Sequence, residues 1–239
     1  MLHMRPGTLD RYIYEQVVEC NEYGLPDRFD PADVVVDVGV HIGAFALAAL
    51  QRGCSHVHGI EADRENLRIA TDNLRRYIDQ GEVTLTYGAA WRSDSNDDHL
   101  SFQGYPSYGD TLNTGGGRVL PSRNGEPVPK INFDEFLLGA TQVGEQRVRF
   151  VKLDCEGSEW PIIFTSKRFD LVDEIAGEFH EHAADSDEVY SGLTCEDLGR
   201  TLSEQGFDVT LHAYPFRVHF FRRIGLFTAK RKGCVPGKE

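Results

Sequence analysis

The chain has 239 residues, of which 40% are hydrophobic and 26% charged; that balance fits one α/β domain with a sizeable core and argues against a disordered chain. A formal net charge of −13 repels a phosphate backbone, so nucleic acid is disfavoured as a general partner and a small neutral or cationic ligand fits better. Five cysteines (Cys20, Cys54, Cys155, Cys195, Cys234) without a CxxC pair, no signal-peptide pattern at the start and no apolar run near about 20 residues lead to the expectation of a soluble, cytoplasmic protein with reduced thiols, no disulfide framework and no membrane span.

Residues 1–30 read as helical in part, because Tyr12, Ile13, Gln16, Val17 and Cys20 recur at helical spacing. A strand follows at Val34–Val38, a helix at Ile42–Arg52, a strand at His56–Glu61, a helix at Arg64–Ile78 and a strand at Glu82–Tyr87. Strands alternating with helices argue for a parallel sheet covered on both faces. The rhythm stops over residues 92–129, a polar, turn-rich insertion carrying Phe102, Tyr105, Tyr108 and the triplet Gly115–Gly117. Segments this long without periodicity are usually functional or disordered, and a substrate lid hinged at the glycines is one reading of it. Beyond it the pattern predicts a helix at Phe133–Leu138, a strand at Val148–Leu153, a helix at Glu159–Thr165, a strand at Asp173–Phe179 and a helix at Cys195–Gln205 capped by Thr194. Three closing runs, Phe207–Leu211, Phe216–Phe221 and Ile224–Ala229, require antiparallel pairing. The basic run Arg222-Arg223 and Lys230-Arg231-Lys232 near them reads as a solvated strand edge in preference to a nucleic-acid patch. No repeat or linker divides the chain, so 1–239 is expected to form one domain, with 1–30 and 92–129 as its appendages.

The first chemical signal is Asp37-Val38-Gly39-Val40-His41-Ile42-Gly43. Asp37 ends a buried strand, where an unmatched acid is costly, and the glycines allow a tight turn with close ligand approach. The second strand ends at Glu61, and an acid at that tip can accept hydrogen bonds from both hydroxyls of a ribose. The short glycine spacing of GxGxxG, which cradles a pyrophosphate, is missing. D-x-G-x-x-x-G instead resembles the first motif of Rossmann-like S-adenosylmethionine (SAM) methyltransferases. An NAD-dependent oxidoreductase and a non-catalytic nucleoside-binding module are the rival readings.

The second signal is Lys152-Leu153-Asp154-Cys155-Glu156-Gly157-Ser158-Glu159, charged at the end of a strand. It resembles the K-[IL]-D-x-E-G-x-E hallmark of the FkbM family of SAM-dependent methyltransferases. The first motif departs from that family's usual D-x-G-A-N-x-G at Val40 and His41, and Ala62 replaces the proline usual after the second-strand acid. Asp10 with Tyr23, Ala90-Trp91, Val128–Leu137 and Glu178-Phe179-His180 resemble further family elements. The resemblance implies an α/β, Rossmann-like three-layer sandwich with a mostly parallel seven-stranded sheet and an antiparallel C-terminal strand. It implies SAM as cofactor and O-methylation of a hydroxyl on a small molecule such as a sugar or secondary metabolite, as in natural product biosynthesis. The expected cofactor residues are Asp37, Gly39, His41, Gly43, Glu61, Ala62, Ala90, Trp91 and Asp154. The expected catalytic residues are His180, chosen as general base for its near-neutral intrinsic pKa, with Asp154, Lys152 and Glu178 around it. Glu178-x-His180-x-His182 on one strand face also invites a divalent metal, but with no complete ligand set by spacing it is the less favoured reading. Homo-oligomerisation stays open.

Overall fold

The computed structural model describes residues 2–121, 125–142, 144, 146–182, 190–215 and 221–233. Seven strands form the main sheet: β1 (Val34–Val38), β2 (His56–Glu61), β3 (Val83–Tyr87), β4 (Val148–Leu153), β5 (Val172–Glu181), β6 (Phe207–Ala213) and β7 (Arg223–Arg231). Their spatial order is β6-β7-β5-β4-β1-β2-β3. Every pair is parallel except those made by β7, which runs antiparallel to both β5 and β6. This is the expected mixed α/β sheet with one reversed strand.

The central strands are apolar on both faces because both faces are covered. One face buries Val36, Val38, Ile60, Leu137, Trp160 and Phe179, and the other Val35, Phe45, Ala49, Val57 and Phe150. Helix α1 (Asp10–Tyr14) runs on into a π-helical turn, Glu15–Glu19. Helix α2 (Ala44–Gln51) is buried along most of its length, its alanines letting it lie close to the sheet. Helix α3 (Arg64–Asn73) starts where the Asp63 carboxylate accepts the Asn66 N–H at 2.7 Å. The single helix expected to Ile78 is interrupted at Leu74, followed by a short turn of helix at Arg75–Asp79. Helices α4 (Phe133–Ala140), α5 (Glu159–Thr165) and α6 (Cys195–Glu204) complete the set, α6 opening with a Thr194–Asp197 capping box.

Two expectations are corrected. Residues 92–129 are not without secondary structure: His99–Phe102 and Val119–Leu120 join Ala89–Trp91 and Glu126–Asn132 in a second, four-stranded sheet over its own core of Trp91, Leu100, Val119 and Val128. Three of the four strands have two to four residues, too short to display a period, and the seven-residue Glu126–Asn132 is interrupted by Pro127 and Pro129. The basic run does not lie on a sheet edge, because β7 is an internal strand, although Arg222, Lys230 and Lys232 are solvent-exposed as expected. Arg222 and Arg223 reach the fully buried Glu181 at 2.8 and 2.6 Å, and Arg231 donates to the Val172 carbonyl. Of the three closing runs, two are β6 and β7; residues 216–220 lie outside the described residues, as do Cys234 and the loop 183–189. Cys20, Cys54, Cys155 and Cys195 are free thiols. Among the described residues no helix is long and apolar enough to cross a membrane.

Candidate functional site

Strand order reverses at β1, with β2 on one side and β4 on the other, and at that point a crevice opens beyond the carboxyl ends of the strands. It leads into a cavity of about 400 Å³ walled by the β1, β2, β4 and β5 ends, the N-terminal segment and the insertion. The turn after β1 supplies Gly39 to His41. Gly39 has φ +80°, and a Cβ there would sit 1.9 Å from the Asp154 carbonyl oxygen. Only glycine lets the two strand ends approach this closely. His41 has φ +53°, a left-handed conformation that asparagine and histidine adopt more readily than most residues; that shared tolerance accounts for a histidine where asparagine is usual.

Glu61 stands at the tip of β2 on the cavity wall, 6% exposed. Its Oε2 accepts the His41 N–H at 2.7 Å and its Oε1 the Asp63 N–H at 2.9 Å. Burial pushes its pKa up to about 7, against the pull of those N–H groups. Ala62 and Ala90 lie on the same wall.

Asp37 is placed differently from the expectation of a ligand contact. It is fully buried, it does not line the cavity, and its charge partner is Lys152 Nζ at 3.3 Å. Lys152 also donates to the carbonyls of Val38 and Gly39. Two of its N–H groups are thereby committed to the turn after β1, with Asp37 beside it as an ion-pair partner whose oxygens accept no hydrogen bond among the described residues, which makes Lys152 a positioning residue. Burial works against the Lys152 charge, but Asp37 and Asp154 together keep its pKa raised. Gly43 begins α2 at φ +91° against Leu74, and Trp91 packs in the core of the second sheet; neither reaches the cavity.

The other end of the cavity is acidic. Asp154, Glu178 and His180 present ligand-type atoms within 4.8 Å of one another, and Glu156 lies on the same wall. Tyr23 Oη donates to Asp154 Oδ2 at 2.9 Å. His180 Nδ1 donates to Glu159 Oε1 at 2.6 Å, and Glu159 is itself fully buried and accepts the Gly157 N–H. The other ring nitrogen, Nε2, faces Glu178 at 3.4 Å and Glu156 at 3.5 Å. Burial disfavours the imidazolium, yet Glu159 and Glu156 outweigh it and raise the His180 pKa well above its ordinary value. Facing these acids, His180 is a weaker candidate for resting base than its intrinsic pKa suggests. Burial pushes Glu156 up to about 8 and Glu22, nearby on the wall, to about 7.

A third cluster closes the cavity from above and escaped the reading of the sequence. Arg5 forks onto the buried Asp10, with Nε and Nη2 both at 2.9 Å. Thr114 of the insertion donates to the same carboxylate at 2.6 Å. Having spent its proton there, the Thr114 hydroxyl accepts from His41 Nε2 at 2.9 Å. Arg5 also reaches Asn66, whose side chain holds the Thr114 carbonyl. Burial raises the Asp10 pKa, but the bonds from His41, Arg5 and Thr114 win and hold it far below the ordinary carboxylate range. Burial lowers the His41 pKa. Of these residues only Asp10 and His41 carried any sequence signal. Arg5 bonds Asp10 five positions on, but its link to Asn66, the link of Asn66 to Thr114 and that of Thr114 to Asp10 span 61, 48 and 104 positions, which no local pattern reveals.

With this geometry in hand, the chain matches the methyltransferase FkbM domain over residues 37–209. It belongs to the FkbM methyltransferase family. No curated protein matches the sequence. Among solved structures, the FkbM methyltransferase of Methylobacillus flagellatus KT is similar at 18% identity and TM-score 0.51, covering 90% of this chain and 47% of that one. Precorrin-6y C5,15-methyltransferase of Geobacter metallireducens GS-15 matches at 12% identity and TM-score 0.49, covering 97% and 94%. TrmK of M. capricolum, solved with S-adenosylhomocysteine, matches at 9% and 0.49, covering 95% and 71%. Identities this low speak to the fold.

Proposed function

We propose that this FkbM-family protein binds S-adenosylmethionine in the 400 Å³ cavity and transfers its methyl group to a hydroxyl of a small molecule, such as a sugar or a secondary metabolite. The observation that carries the reading is Glu61: a carboxylate at the second strand tip, oriented by two backbone N–H groups, with lone pairs left for a ribose diol. The wall residues fit the cofactor. Ile60, Ala62 and Ala90 line an apolar side next to Glu61, while Glu22, Asp154 and Glu178 at the far end favour a sulfonium and an aminium over a pyrophosphate.

When bound, SAM supplies a methyl group on a positively charged sulfur. The protein then has to hold the acceptor oxygen in line with the S–C bond and receive its proton. With SAM bound, the Asp154–Glu178–His180 group as a whole, not His180 alone, would receive the acceptor's proton, because these atoms stand close together at the acceptor end. Lys152 holds the glycine turn against β4. A charge of −13 favours a small acceptor over nucleic acid.

Calorimetry with SAM and with NAD⁺, followed by incubation with methyl-labelled SAM and host extract, tests the reading. Saturating SAM at about 100 times its Kd should raise unfolding stability by about 2.7 kcal/mol, with NAD⁺ leaving it unchanged, and label should appear on oxygen. Stabilisation by NAD⁺ in place of SAM, or label on nitrogen or carbon, would overturn it.

A further inference from the structure

We propose that Asp154, Glu178 and His180, with Glu156 beside them, form a binding site for a single divalent transition-series ion of the Mn²⁺ or Fe²⁺ type. The site lies on the acceptor side of the cavity and stands independently of which group is methylated.

Four observations converge. Asp154 directly follows β4 while Glu178 and His180 lie on the neighbouring β5, and one donor atom from each lies within 4.8 Å of the others. A set of one imidazole and two carboxylates is a mixed donor set, softer than magnesium or calcium prefer and harder than a thiolate site. His180 is 2% exposed, and its Nε2 is aimed between two carboxylates at once, with Glu178 Oε2 at 3.4 Å and Glu156 Oε2 at 3.5 Å. Those separations are too long for a good N–H···O bond. They match the gap between two ligands that each lie about 2.1 Å from one ion, which is roughly 3.0 to 3.4 Å in octahedral or tetrahedral geometry.

The support behind the histidine has the same logic. A metal-binding histidine characteristically donates its second ring N–H to a carboxylate, which fixes the ring and raises its basicity. His180 Nδ1 does this to Glu159 at 2.6 Å, and Glu159 is fully buried and anchored by the Gly157 N–H. Beside them Glu156 holds a left-handed backbone at φ +52°, followed by Gly157 at φ +105°. Such strain in a non-glycine residue persists where the surroundings require a particular side-chain direction, and here that direction brings Glu156 Oε2 to His180 Nε2. The acids also outnumber the cations. Lys152, the nearest fixed positive charge, is engaged with Asp37 and two carbonyls, which leaves His180 to face Glu156, Glu159 and Glu178. An ion coordinated there would balance the cluster and leave open positions toward the cavity, where an acceptor hydroxyl could bind and ionise more easily.

Titrating the metal-free protein with MnCl₂, without SAM, tests this directly. Disappearance of the free-Mn²⁺ paramagnetic resonance signal should report one bound ion per chain. Glu178→Gln and His180→Gln should each weaken binding at least about tenfold, and Glu159→Gln, which holds the imidazole and the Gly157 N–H but offers no atom to the ion, by about 10- to 100-fold. Glu196→Gln, in the separate Glu181–Cys195–Glu196 group, should leave it unchanged. Circular dichroism and the urea midpoint, measured alongside, identify any variant that has merely lost its fold, and Glu178→Gln, nearly isosteric, serves if the histidine variant does not fold. No binding at 1 mM Mn²⁺ on the order of the weakest specific sites, or binding that survives both Glu178→Gln and His180→Gln in folded protein, would overturn the proposal. Failure of SAM to bind while Mn²⁺ binds would count against the methyl-transfer reading alone.

Discussion

Glu61 is buried, ends β2 and titrates near neutrality, with a pKa pushed up to about 7 by burial. Only its ionised form can accept from both hydroxyls of a ribose, and its charged neighbours Asp63 and Lys152 act on it in opposite senses. The sign follows. Above pH 7 the carboxylate is ionised and competent, and below it the site loses about tenfold in affinity for each pH unit as the protonated form takes over. Calorimetric SAM affinity between pH 5.5 and 8.5 should therefore fall on the acid side. Glu61→Gln should bind weakly at every pH with that slope removed; a slope that survives in the variant would assign it to another group. Glu61 could be picked out in the sequence because strand ends are readable and an acid there is rare. Asp37 was legible as an acid but not as to direction. Val34–Val38 is apolar on both sides of the residue, so no alternation tells which face the carboxylate takes, and it faces Lys152 instead of the cavity. Glu156 and Glu159 were in the quoted hallmark, but their convergence on His180 depends on a left-handed turn that spacing does not encode.

The turns between elements set how closely the strands converge on the site, and glycines make the clearest case. At Gly39 a methyl group would collide with the Asp154 carbonyl oxygen while φ is +80°. The left-handed backbone alone costs a non-glycine residue about 1–2 kcal/mol, and relieving the collision means separating β1 from β4. Gly39→Ala should thus cost at least about 3 kcal/mol of stability and weaken SAM binding along with it. Gly139 offers the opposite case: it sits exposed inside α4 with nothing within 4 Å of the added carbon. There Ala should stabilise by about 0.5–1 kcal/mol. Urea midpoints at constant m-value measure both, and a neutral Gly39→Ala would mean that the turn relaxes freely. At this scale the main-sheet strands and helices were legible because the central strands stand out as apolar runs, buried on both faces, that alternate with helical stretches. The second sheet was not, since its members borrow their stability from pairing across the insertion.

On the scale of the whole molecule, the main sheet supplies the cavity floor, while the N-terminal segment and the insertion supply its roof. The two roof pieces are joined to each other by the Thr8–Leu112 bridge and by Thr114 on Asp10, and to the floor through His41 and Asn66. Asp10, fully buried, is the common acceptor. Its depressed pKa gives a linkage of definite sign: the stabilisation is complete above the unfolded-state value near 3.8 and drains away as pH falls below it. Asp10→Asn removes the charge that Arg5, His41 and Thr114 share, a loss of about 3 kcal/mol or more for a buried pair broken on one side. Because the knot has one centre, the roof should loosen as a unit. Hydrogen exchange is expected to quicken together over residues 8–19 and 111–119 in Asp10→Asn, with β1 and β4 unchanged, and added SAM should slow both segments in the parent protein. If only one of the two segments responds, the roof comprises two independent flaps and Asp10 is not their common anchor.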